Sequence, residues 1–507
     1  MSIALPPPEF RLHDLIHRQL AQHADHPALV EGDRAWTYGE VAAAMDAFAG
    51  FLRGAGLRPG DRLMIVGENG AAQVLALLAA SRCEAWAVMT NARLTGAELQ
   101  AIERHCEPRL VFYASEGSAD AAAHAAARGA HAHTIAGLRF HCTAAAAEAA
   151  AEPVCADSAE QVAVLIYTTG TTGQPKGVML THRNLGWSAA VSAAARAEGP
   201  HDDIYAALPL SHVFGLTSVV LAGLSAGARI RLVSRFDARH LAHALADGIS
   251  FLQGVPAMFV RLLALHEAGQ PLPAPRLRYL QCGGAPMDAS IKDRVEALFG
   301  LPINNGYGMT EASPSICMVP YNHRAQDLTV GTPIPRLQVR IVDEQGAELP
   351  DGAVGELHIR GPNVTKGYYR SPEQTAAVLS ADGWFATGDL LRRSEQGLFY
   401  VMGRRKELII RSGFNVYPAE VESALNAHPA VAQSCVVGKA VSGDEQVIAF
   451  VELRPEAPAD TGSIAAFVGT RLAPYKRPQR IVVLPQLPAA QTGKVLKKAV
   501  QALADRL

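Results

Sequence analysis

One stretch of the chain reads Leu165-Ile166-Tyr167-Thr168-Thr169-Gly170-Thr171-Thr172-Gly173-Gln174-Pro175-Lys176-Gly177-Val178. In it, an apolar run typical of a strand leads into a loop of hydroxyl groups, glycines and one lysine. Glycines let backbone N–H groups approach anionic oxygens without a Cβ in the way, threonine hydroxyls donate hydrogen bonds to those oxygens, and Lys176 adds a mobile positive charge. The stretch therefore predicts a strand followed by a phosphate-binding loop.

The order of this loop distinguishes it from a Walker-type P-loop, in which lysine directly follows the last glycine and a serine or threonine follows the lysine. Here Pro175 precedes Lys176 and Gly177 follows it. The stretch instead resembles the phosphate loop of the adenylate-forming superfamily, which contains acyl-CoA synthetases, luciferases and peptide-synthetase adenylation domains. The alternative, a flexible loop between two strands, does not account for so long and ordered a match. The resemblance implies that the loop binds ATP and AMP through Thr168, Thr169, Gly170, Thr171, Thr172, Gly173 and Lys176.

Composition fits a large globular enzyme. The chain has 507 residues, of which 49% are hydrophobic, enough for two to four structural units with sizeable cores. Its 46 basic and 48 acidic residues give a net charge of −2, so no overall positive field would recruit nucleic acid.

Cysteine usage and the N-terminal residues indicate a cytoplasmic protein. The seven cysteines form neither a CxxC pair nor a zinc-binding spacing, and an odd number in a long chain is typical of reduced thiols. Residues 1–12 contain Glu9 and three consecutive prolines in place of a basic region followed by an apolar core, so no secretory signal is expected.

One uncharged segment is long enough to span a bilayer. Residues 204–228 contain no Asp, Glu, Lys or Arg. Pro209, Ser211, His212 and several glycines interrupt the segment, and a strand-like run follows at residue 229. We therefore expect no transmembrane segment here, but a buried helix beside a ligand tunnel.

Elements along the first part of the chain alternate between strand and helix, which predicts an α/β fold with a parallel sheet covered on both faces. Capping-box patterns at Thr37/Glu40 and Thr95/Glu98 precede two of the helices. The Ala-rich stretch 119–152 is expected to be surface helix and loop. The predicted elements are strands 61–66, 86–89 and 110–113 and helices 41–52 and 71–80.

The character of the sequence changes twice farther along. Between residues 339 and 369, short strands with Gly/Pro turns predict a small β subdomain. After Gly403, a helix at 418–426 and strands near 434–437 and 447–451 predict a smaller α/β domain. We therefore expect a large N-terminal domain of parallel-rich sheets and helices over 1–403, a hinge over 404–406, and a mobile C-terminal domain over 407–507.

A second motif, Asn305-Gly306-Tyr307-Gly308-Met309-Thr310-Glu311, combines glycines, an aromatic ring and a carboxylate. A flat ring suits adenine, and carboxylate oxygen is a ligand that Mg²⁺ prefers. In the superfamily this run forms the nucleotide pocket. The resemblance implies adenine stacking by Tyr307, α-phosphate contact by Thr310 and a Mg²⁺ ligand in Glu311, with Gly308 and Met309 in the same nucleotide site. It also implies adenine contacts from the backbone of Gly283-Gly284-Ala285-Pro286.

Two further signatures follow in the order that the superfamily has. Trp384-Phe385-Ala386-Thr387-Gly388-Asp389 implies that Asp389 binds the ribose diol, and Gly403-Arg404-Arg405-Lys406-Glu407 implies that Arg404 joins it. Alone, the first would be an ordinary turn and the second a solvated basic patch. Lys406 aligns with the hinge position, where many members have Asp.

The C-terminal region carries two more resemblances. Pro488-Ala489-Ala490-Gln491-Thr492-Gly493-Lys494 resembles the segment with the superfamily's mobile catalytic lysine, so Lys494 is expected to span the carboxylate and the α-phosphate during adenylation. Gly413 corresponds to the glycine that lines the pantetheine tunnel. The segment 412–418 is similar to bacterial fatty acyl-CoA synthetases, which favours CoA as the acceptor.

The sequence narrows the class of substrate but does not identify the acid. The catalytic site is expected to include His212, next to the incoming carboxylate, although an interior histidine with satisfied hydrogen bonds is the alternative. The acyl pocket is expected to include Val213, Phe214 and Gly306. Segments 213–228 and 251–259 have no charged residue, which disfavours a dicarboxylate such as malonate. A fatty acid is the favoured substrate, and an aryl acid remains as the alternative.

The expected activity is therefore that of an acyl-CoA ligase using ATP, Mg²⁺, CoA and a hydrophobic monocarboxylic acid. Two alternatives stay open: a free-standing adenylation enzyme that loads a carrier protein, and a non-catalytic nucleotide-binding protein. The last is disfavoured because Glu311, Asp389 and Lys494 are all present. The assembly state, with a homodimer as one option, is left open.

Overall fold

The computed structural model describes residues 4–169, 175–321, 323–325, 327–412, 414–441, 444–454, 457–458, 460–489 and 495–507. Among them, two large sheets form the first part of the molecule, and their central strands are parallel. The parallel pattern follows from the alternation of strands and helices, because parallel neighbours need a crossover connection. The α/β fold class is confirmed.

One sheet contains the strand that precedes the phosphate loop. In the described part of the chain it has seven strands, in the spatial order His131–Ile135, Leu138–Cys142, Leu110–Ala114, Arg62–Gly67, Trp86–Asn91, Val162–Thr169 and Pro175–Thr181. The last two strands are antiparallel and pair Thr168 with Lys176. The predicted phosphate loop thus connects two hydrogen-bonded strands at the edge of this sheet.

The other large sheet has nine strands within the described ranges. Their order is Thr332–Pro333, Ser315–Met318, Ile303–Gly308, Tyr279–Cys282, Phe251–Gly254, Asp203–Ala206, Arg229–Leu232, Pro27–Glu31 and Arg34–Thr37. The strand Ile303–Gly308 lies parallel to Tyr279–Cys282, and Gln281 pairs with Asn304. The predicted nucleotide motif at 283–286 therefore directly follows one of these strands. The motif at 305–311 begins in the last residues of the neighbouring strand.

Helices cover these sheets, and several begin where the sequence predicts. Thr37/Glu40 and Thr95/Glu98 form the expected capping boxes. The α-helices of the sheet region are Asp14–His23, Tyr38–Gly54, Ala71–Arg82, Gly96–Cys106, Ala119–Ala127, His182–Ala195, Ala222–Ser225, Ala238–Ala246, Pro256–Glu267, Ala289–Phe299 and Pro372–Ala376.

The expectation for residues 119–152 is wrong in part. The helix Ala119–Ala127 is followed by an antiparallel hairpin, His131–Ile135 with Leu138–Cys142. Phe140 on this hairpin is fully buried and stacks on Phe112, with 4.5 Å between ring centroids. Burial of this one aromatic ring holds the hairpin on the sheet. The Ala-rich composition around Phe140 did not indicate a strand there.

The uncharged segment 204–228 also differs from the expected single helix. It contains the strand Asp203–Ala206, a loop, a π-helix at Phe214–Leu221 and the short α-helix Ala222–Ser225. The π-helix is fully buried. None of the helices in the described ranges is long and apolar enough to cross a membrane.

Beyond residue 337 the molecule is built from smaller sheets. Four antiparallel strands, Gln338–Val342, Val354–Arg360, Phe385–Arg393 and Phe399–Arg404, form the predicted β subdomain, which extends past its expected end at Tyr369. The last part contains strands Ile409–Arg411, Phe414–Val416, Val431–Val441, Asp444–Leu453 and Arg480–Leu484 and helices Pro418–Asn426, Thr461–Gly469 and Lys497–Asp505.

The residues after 408 have hydrophobic clusters of their own. Among described residues, one cluster extends from Ile409 to Leu472 and another from Cys435 to Ala504, and neither includes a buried residue from before the hinge. This separation is what a distinct folding unit requires. The exact domain bounds and the hinge at 404–406 stay predictions.

Candidate functional site: a cavity shared by five segments

A cavity of about 1020 Å³ lies where the two large sheets, the β subdomain and the C-terminal region meet. Its lining includes the predicted residues Thr168, Lys176, His212, Val213, Phe214, Gly283, Gly284, Gly306, Tyr307, Gly308, Met309, Thr310, Glu311, Asp389, Arg404 and Lys406. Residues more than 200 positions apart in sequence therefore share one cavity.

Some predicted site residues are placed differently or not described. Among the described lining residues, Gly283 and Gly284 are present, whereas Ala285 and Pro286 are not. Thr169 ends its strand, and the structure describes only its backbone. Gly170, Thr171, Thr172, Gly173, Gly413 and Lys494 lie outside the described residues.

Tyr307 and Asp389 are in direct contact. The Tyr307 hydroxyl donates to Asp389 Oδ2 at 2.6 Å. Burial raises the pKa of Tyr307 well above its usual range, and the neighbouring Asp389 raises it further, so the phenol keeps its proton. Asp389 is opposite Arg404 on the adjacent strand, with 3.4 Å between Oδ1 and Nε. The contacts hold a carboxylate beside an aromatic ring.

Glu311 is buried where the 305–311 motif meets the segment 365–369. Its Oε1 accepts a hydrogen bond of 2.8 Å from the Tyr368 hydroxyl, and its carbonyl accepts one from the Thr365 N–H. Burial raises the pKa of Glu311, although the Tyr368 hydrogen bond opposes that shift. A partner of positive charge would therefore be needed to favour its ionised form strongly.

Lys176 lies next to Tyr368, the residue that donates to Glu311. Its Nζ is 4.9 Å from the centroid of the Tyr368 ring, within reach of a cation–π interaction. Tyr368 thus links the lysine of the phosphate loop to Glu311. Sequence reasoning did not single out Tyr368, because its neighbours form no motif and its role depends on two distant segments.

Glycines and the Phe214 ring line the cavity beside the nucleotide residues. A Cβ added at Gly283 would lie 3.2 Å from the Phe214 ring, and one at Gly306 would lie 2.8 Å from Gln281 Nε2. At Gly308, a Cβ would collide with the Pro314 carbonyl oxygen. Glycine therefore lets the Phe214 ring pack against Gly283 and the Gln281 amide pack against Gly306, and Gly308 permits the close approach of Pro314.

His212 lines the same cavity. Its side chain is exposed, and its Nδ1 accepts a hydrogen bond of 3.2 Å from the Phe214 N–H. The alternative of an interior histidine is therefore wrong. The backbone contact orients the imidazole at the entrance to the segment that continues into the buried π-helix.

Residues from the C-terminal region complete the cavity. Lys406 lies in the 3-10 turn Arg405–Glu407, and Lys497, Lys498 and Gln501 also contribute to the lining. The Lys497 Nζ is 2.8 Å from Glu407 Oε2 and 3.4 Å from Glu422 Oε1. The half-buried Glu422 thus gives Lys497 a structural partner that no local sequence pattern indicates.

Comparison with known proteins was made against this geometry. Residues 16–369 match the model of the family described as AMP-binding enzyme, and residues 420–494 match the model of the AMP-binding enzyme C-terminal domain. The chain belongs to the AMP-binding enzyme family. This match confirms the resemblance to adenylate-forming enzymes that the motifs predicted.

Similar proteins of this AMP-binding family are named CoA ligases. The feruloyl-CoA synthase of Amycolatopsis sp is 35% identical over 95% of this chain and 96% of its own length. The 4-coumarate–CoA ligase 5 of Oryza sativa subsp. japonica is 34% identical over 99% and 96%. The long-chain-fatty-acid–CoA ligase of Bacillus subtilis is 36% identical over 68% and 62%. The protein is thus an ATP-dependent, AMP-forming acyl-CoA ligase.

Solved structures of related enzymes have the same fold. ATP-bound MatB from Rhodopseudomonas palustris is 29% identical, with a TM-score of 0.85 over 98% of this chain and 99% of that one. Apo MatB from the same organism is 30% identical over the same shares, with a TM-score of 0.77. The arrangement seen here is therefore more similar to the ATP-bound form of that protein.

Proposed function

We propose that this CoA ligase activates an aromatic monocarboxylic acid. The observation that carries the proposal is the uncharged cavity lining at Val213 and Phe214, where the Phe214 ring packs against Gly283. A planar substrate ring can stack on the Phe214 ring, and such aromatic pairs gain from stacking as well as from burial. The relatives named for feruloyl and 4-coumaroyl substrates, both aromatic acids, support this choice.

ATP is proposed to occupy the part of the cavity around Tyr307. The Tyr307 ring offers a flat apolar surface for adenine, and the backbone of Gly283 and Gly284 lines the same cavity. Asp389 and Arg404 are proposed to bind the ribose hydroxyls, since a carboxylate accepts from both members of a diol. The phosphates are assigned to Lys176, Thr168, Thr169, Thr310 and the loop 170–173.

Glu311 is proposed to bind Mg²⁺. Its carboxylate lines the cavity, one oxygen accepts from Tyr368, and oxygen ligands of this type suit a hard cation. The residues present therefore fit the ion. Bound Mg²⁺ would neutralise charge on the phosphate oxygens.

The proposed reaction has two steps. The substrate carboxylate attacks the α-phosphorus of ATP, and the bond from that phosphorus to the bridging oxygen breaks to release pyrophosphate. The CoA sulfur, after losing its proton, then attacks the acyl carbon, and the carbon–oxygen bond breaks to release AMP. His212 is proposed to orient the carboxylate, and Lys494 to stabilise the charge that develops in the first step.

The second step is proposed to need a different placement of the C-terminal domain, with 404–406 as the hinge and Gly413 in the pantetheine tunnel. Lys406→Pro should then slow thioester formation more than adenylation, because proline fixes φ and restricts the residue before it.

A fatty acid is the second candidate substrate. The uncharged wall from Val213 to Ala228 and the similarity to the Bacillus subtilis enzyme favour it. An acid panel with ATP, Mg²⁺ and CoA separates the candidates through pyrophosphate and thioester release. Higher kcat/KM for aryl acids than for alkanoic acids is expected, and the reverse order would overturn the proposal.

The acceptor needs its own test. The same adenylation assay, supplied with either CoA or a phosphopantetheinylated carrier protein, should give thioester faster with CoA. Transfer to the carrier protein alone would favour the adenylation-enzyme alternative.

A further inference from the structure

We infer that His13, Asp14 and His17 form a binding site for a divalent transition-metal ion such as Zn²⁺, which we call the helix metal site. Each of the three side chains offers one ligand atom, and these atoms all lie within 4.8 Å of one another. None of the three residues lines the cavity of the nucleotide and acid. The site is therefore separate from the proposed function and from the Mg²⁺ assigned to Glu311.

The spacing of the three residues brings them to one face of a helix. His13 directly precedes the helix Asp14–His23 and has helical backbone angles itself, with φ −65° and ψ −20°. Residues three or four apart in a helix are neighbours on its surface, so His17 lies beside both His13 and Asp14. The two imidazole rings are 5.6 Å apart between centroids, with 82° between their planes. Both rings therefore reach the Asp14 carboxylate.

The distances at Asp14 suit a shared ion better than direct hydrogen bonds. Its Oδ1 is 3.7 Å from His13 Nε2 and 3.9 Å from His17 Nδ1. Both distances are beyond hydrogen-bond range. Two ligand atoms that are each about 2.1 Å from a tetrahedral ion lie roughly 3.4 Å from each other. Small rotations of the side chains would therefore bring all three atoms to one ion.

His13 is held in place by a second helix. Its residue is only 8% exposed, and its Nδ1 lies 3.0 Å from the Oγ of Ser81, in the helix Ala71–Arg82. The same Oγ accepts from the His13 backbone N–H, and a hydroxyl oxygen can accept two hydrogen bonds. When Nδ1 donates to Ser81, Nε2 presents a lone pair on the side of Asp14. Metal-binding histidines typically have such a partner on the other ring nitrogen.

Asp14 is also oriented before any ion binds. Its Oδ2 accepts a hydrogen bond of 2.7 Å from the Arg11 N–H, which leaves Oδ1 facing the two histidines. The neighbouring Leu12 N–H donates to Nδ1 of the buried His182 at 3.1 Å, so the backbone before the helix is attached to the core. Ligands that are fixed in this way lose little conformational freedom on binding.

The surrounding charges permit a cation at this position. The N-terminal end of a helix carries partial positive charge, and the Asp14 carboxylate offsets it. Two arginines, Arg11 and Arg82, also act on the site electrostatically. Arg11 Nε is 3.0 Å from Glu84 Oε2, and Arg82 Nε is 3.3 Å from Asp46 Oδ1. Because each arginine has its own carboxylate, neither needs Asp14 as its counter-ion.

The ligand types favour a transition metal over Mg²⁺. Two imidazole nitrogens and one carboxylate oxygen are a common set for Zn²⁺, whereas Mg²⁺ prefers oxygen ligands. The Asp14 and His17 side chains are 32% and 35% exposed, so water can complete the coordination. An ion that binds the folded chain would stabilise the start of this helix.

The first test measures Zn²⁺ binding to the metal-free full-length protein by calorimetry, with excess Mg²⁺ present to occupy the site at Glu311. His17→Gln and Asp14→Asn each remove one ligand, and the Asn oxygen can still accept from the Arg11 N–H. Each variant should weaken Zn²⁺ binding by about 100-fold or more, because loss of an outer partner alone costs about 10-fold to 100-fold. Ser81→Ala should weaken it by about 10-fold through the orientation of His13.

A matched control comes from the same helix. His23 lies in its last turn, with its ring 6.1 Å from the ring of His26, and does not belong to the three-ligand group. His23→Gln should bind Zn²⁺ with the wild-type affinity. A loss in His23→Gln equal to that in His17→Gln would mean that surface histidines bind the ion without a built site, and would overturn the inference.

Amide hydrogen exchange locates the ion without relying on the folding of a variant. Zn²⁺ should slow exchange at residues 11–23 of the wild-type protein, because opening of the helix start would require the ion to leave. Lack of a saturable Zn²⁺ site in the presence of Mg²⁺, equal affinity in the wild type and both ligand variants, or protection only at other residues would overturn the inference. The aryl-acid proposal stands in each of these cases.

Discussion

The two ends of the cavity were assembled in different ways. At the nucleotide end, Tyr307, Thr310 and Glu311 come from one contiguous motif, and Asp389 and Arg404 pair across adjacent strands. At the acid end, Phe214, Ser218, Gln281 and Ser315 come from a π-helix and two separate strands. Chemistry shared by all ATP-dependent relatives therefore depends on local sequence, whereas substrate choice depends on packing between distant elements.

The largest expected effect concerns adenylation, the step in which the bound acid reacts with the bound ATP. Lys494→Ala should reduce ATP–pyrophosphate exchange by about 100-fold or more, because charge stabilisation in the transition state is lost. The variant should still convert a supplied acyl-adenylate to acyl-CoA. Lys366→Ala, which removes an exposed ion pair with Glu160, is the matched control and should be near wild type. Equal loss in both assays would contradict this role for Lys494.

At the nucleotide end, Glu311→Gln should weaken Mg²⁺-dependent turnover by about 100-fold at limiting metal, because a neutral amide is a poorer ligand for a hard cation. Burial raises the pKa of Glu311 above the ordinary value of 4.5. Wild-type activity should therefore fall as pH decreases through that raised pKa, when the carboxylate gains a proton. A Gln variant with unchanged magnesium dependence would refute the assignment.

Asp389→Ala should increase KM for ATP by about 10-fold to 100-fold, the range for lost hydrogen bonds to a charged group. The increase should be the same for every acid, because Asp389 belongs to the nucleotide end. Tyr307→Phe, which removes only the hydroxyl that donates to Asp389, should have a smaller effect. A change in acid preference in the Asp389 variant would contradict the separation of nucleotide binding from acid selection.

Gly413→Leu should slow thioester formation by about 10-fold while ATP–pyrophosphate exchange continues, because a side chain would enter the proposed pantetheine tunnel. Single-turnover measurement of each step distinguishes the two rates. Parallel loss of exchange and thioester formation would indicate a folding role for Gly413, and normal acyl-CoA synthesis would remove it from the tunnel.

The smallest expected effect is at the acid end. Gly306→Ala would place a Cβ 2.8 Å from Gln281 Nε2, so the flexible amide must move. The ratio of kcat/KM values for aryl and alkanoic acids should change by roughly 2-fold to 10-fold, with KM for ATP little altered. Gly50→Ala, in a helix with open space around it, is the control. An unchanged ratio would place the acid away from Gly306.

Some features of the fold could be predicted from the sequence because they depend on residues close together in the chain. The capping boxes at Thr37 and Thr95, the rejection of a membrane span at 204–228 and the helix Pro418–Asn426 each depend on neighbouring residues. The hairpin around Phe140 was not predicted, because its stability comes from contacts with Phe112 in another strand. The π-helix was likewise not indicated by the uncharged run in which it lies.

The sequence by itself determined the adenylate-forming family and the nucleotide motifs, because phosphate, ribose and metal recognition require particular residue types at short, ordered spacings. Only the tertiary structure decided that Tyr368 contacts Glu311, that Lys497 pairs with Glu422, and that the cavity-lining Gln281 accepts a hydrogen bond from Gln253. Hydrogen-bond direction and burial are set by neighbours far away in sequence, and a strand residue such as Gln281 carries no local mark of which groups will surround it.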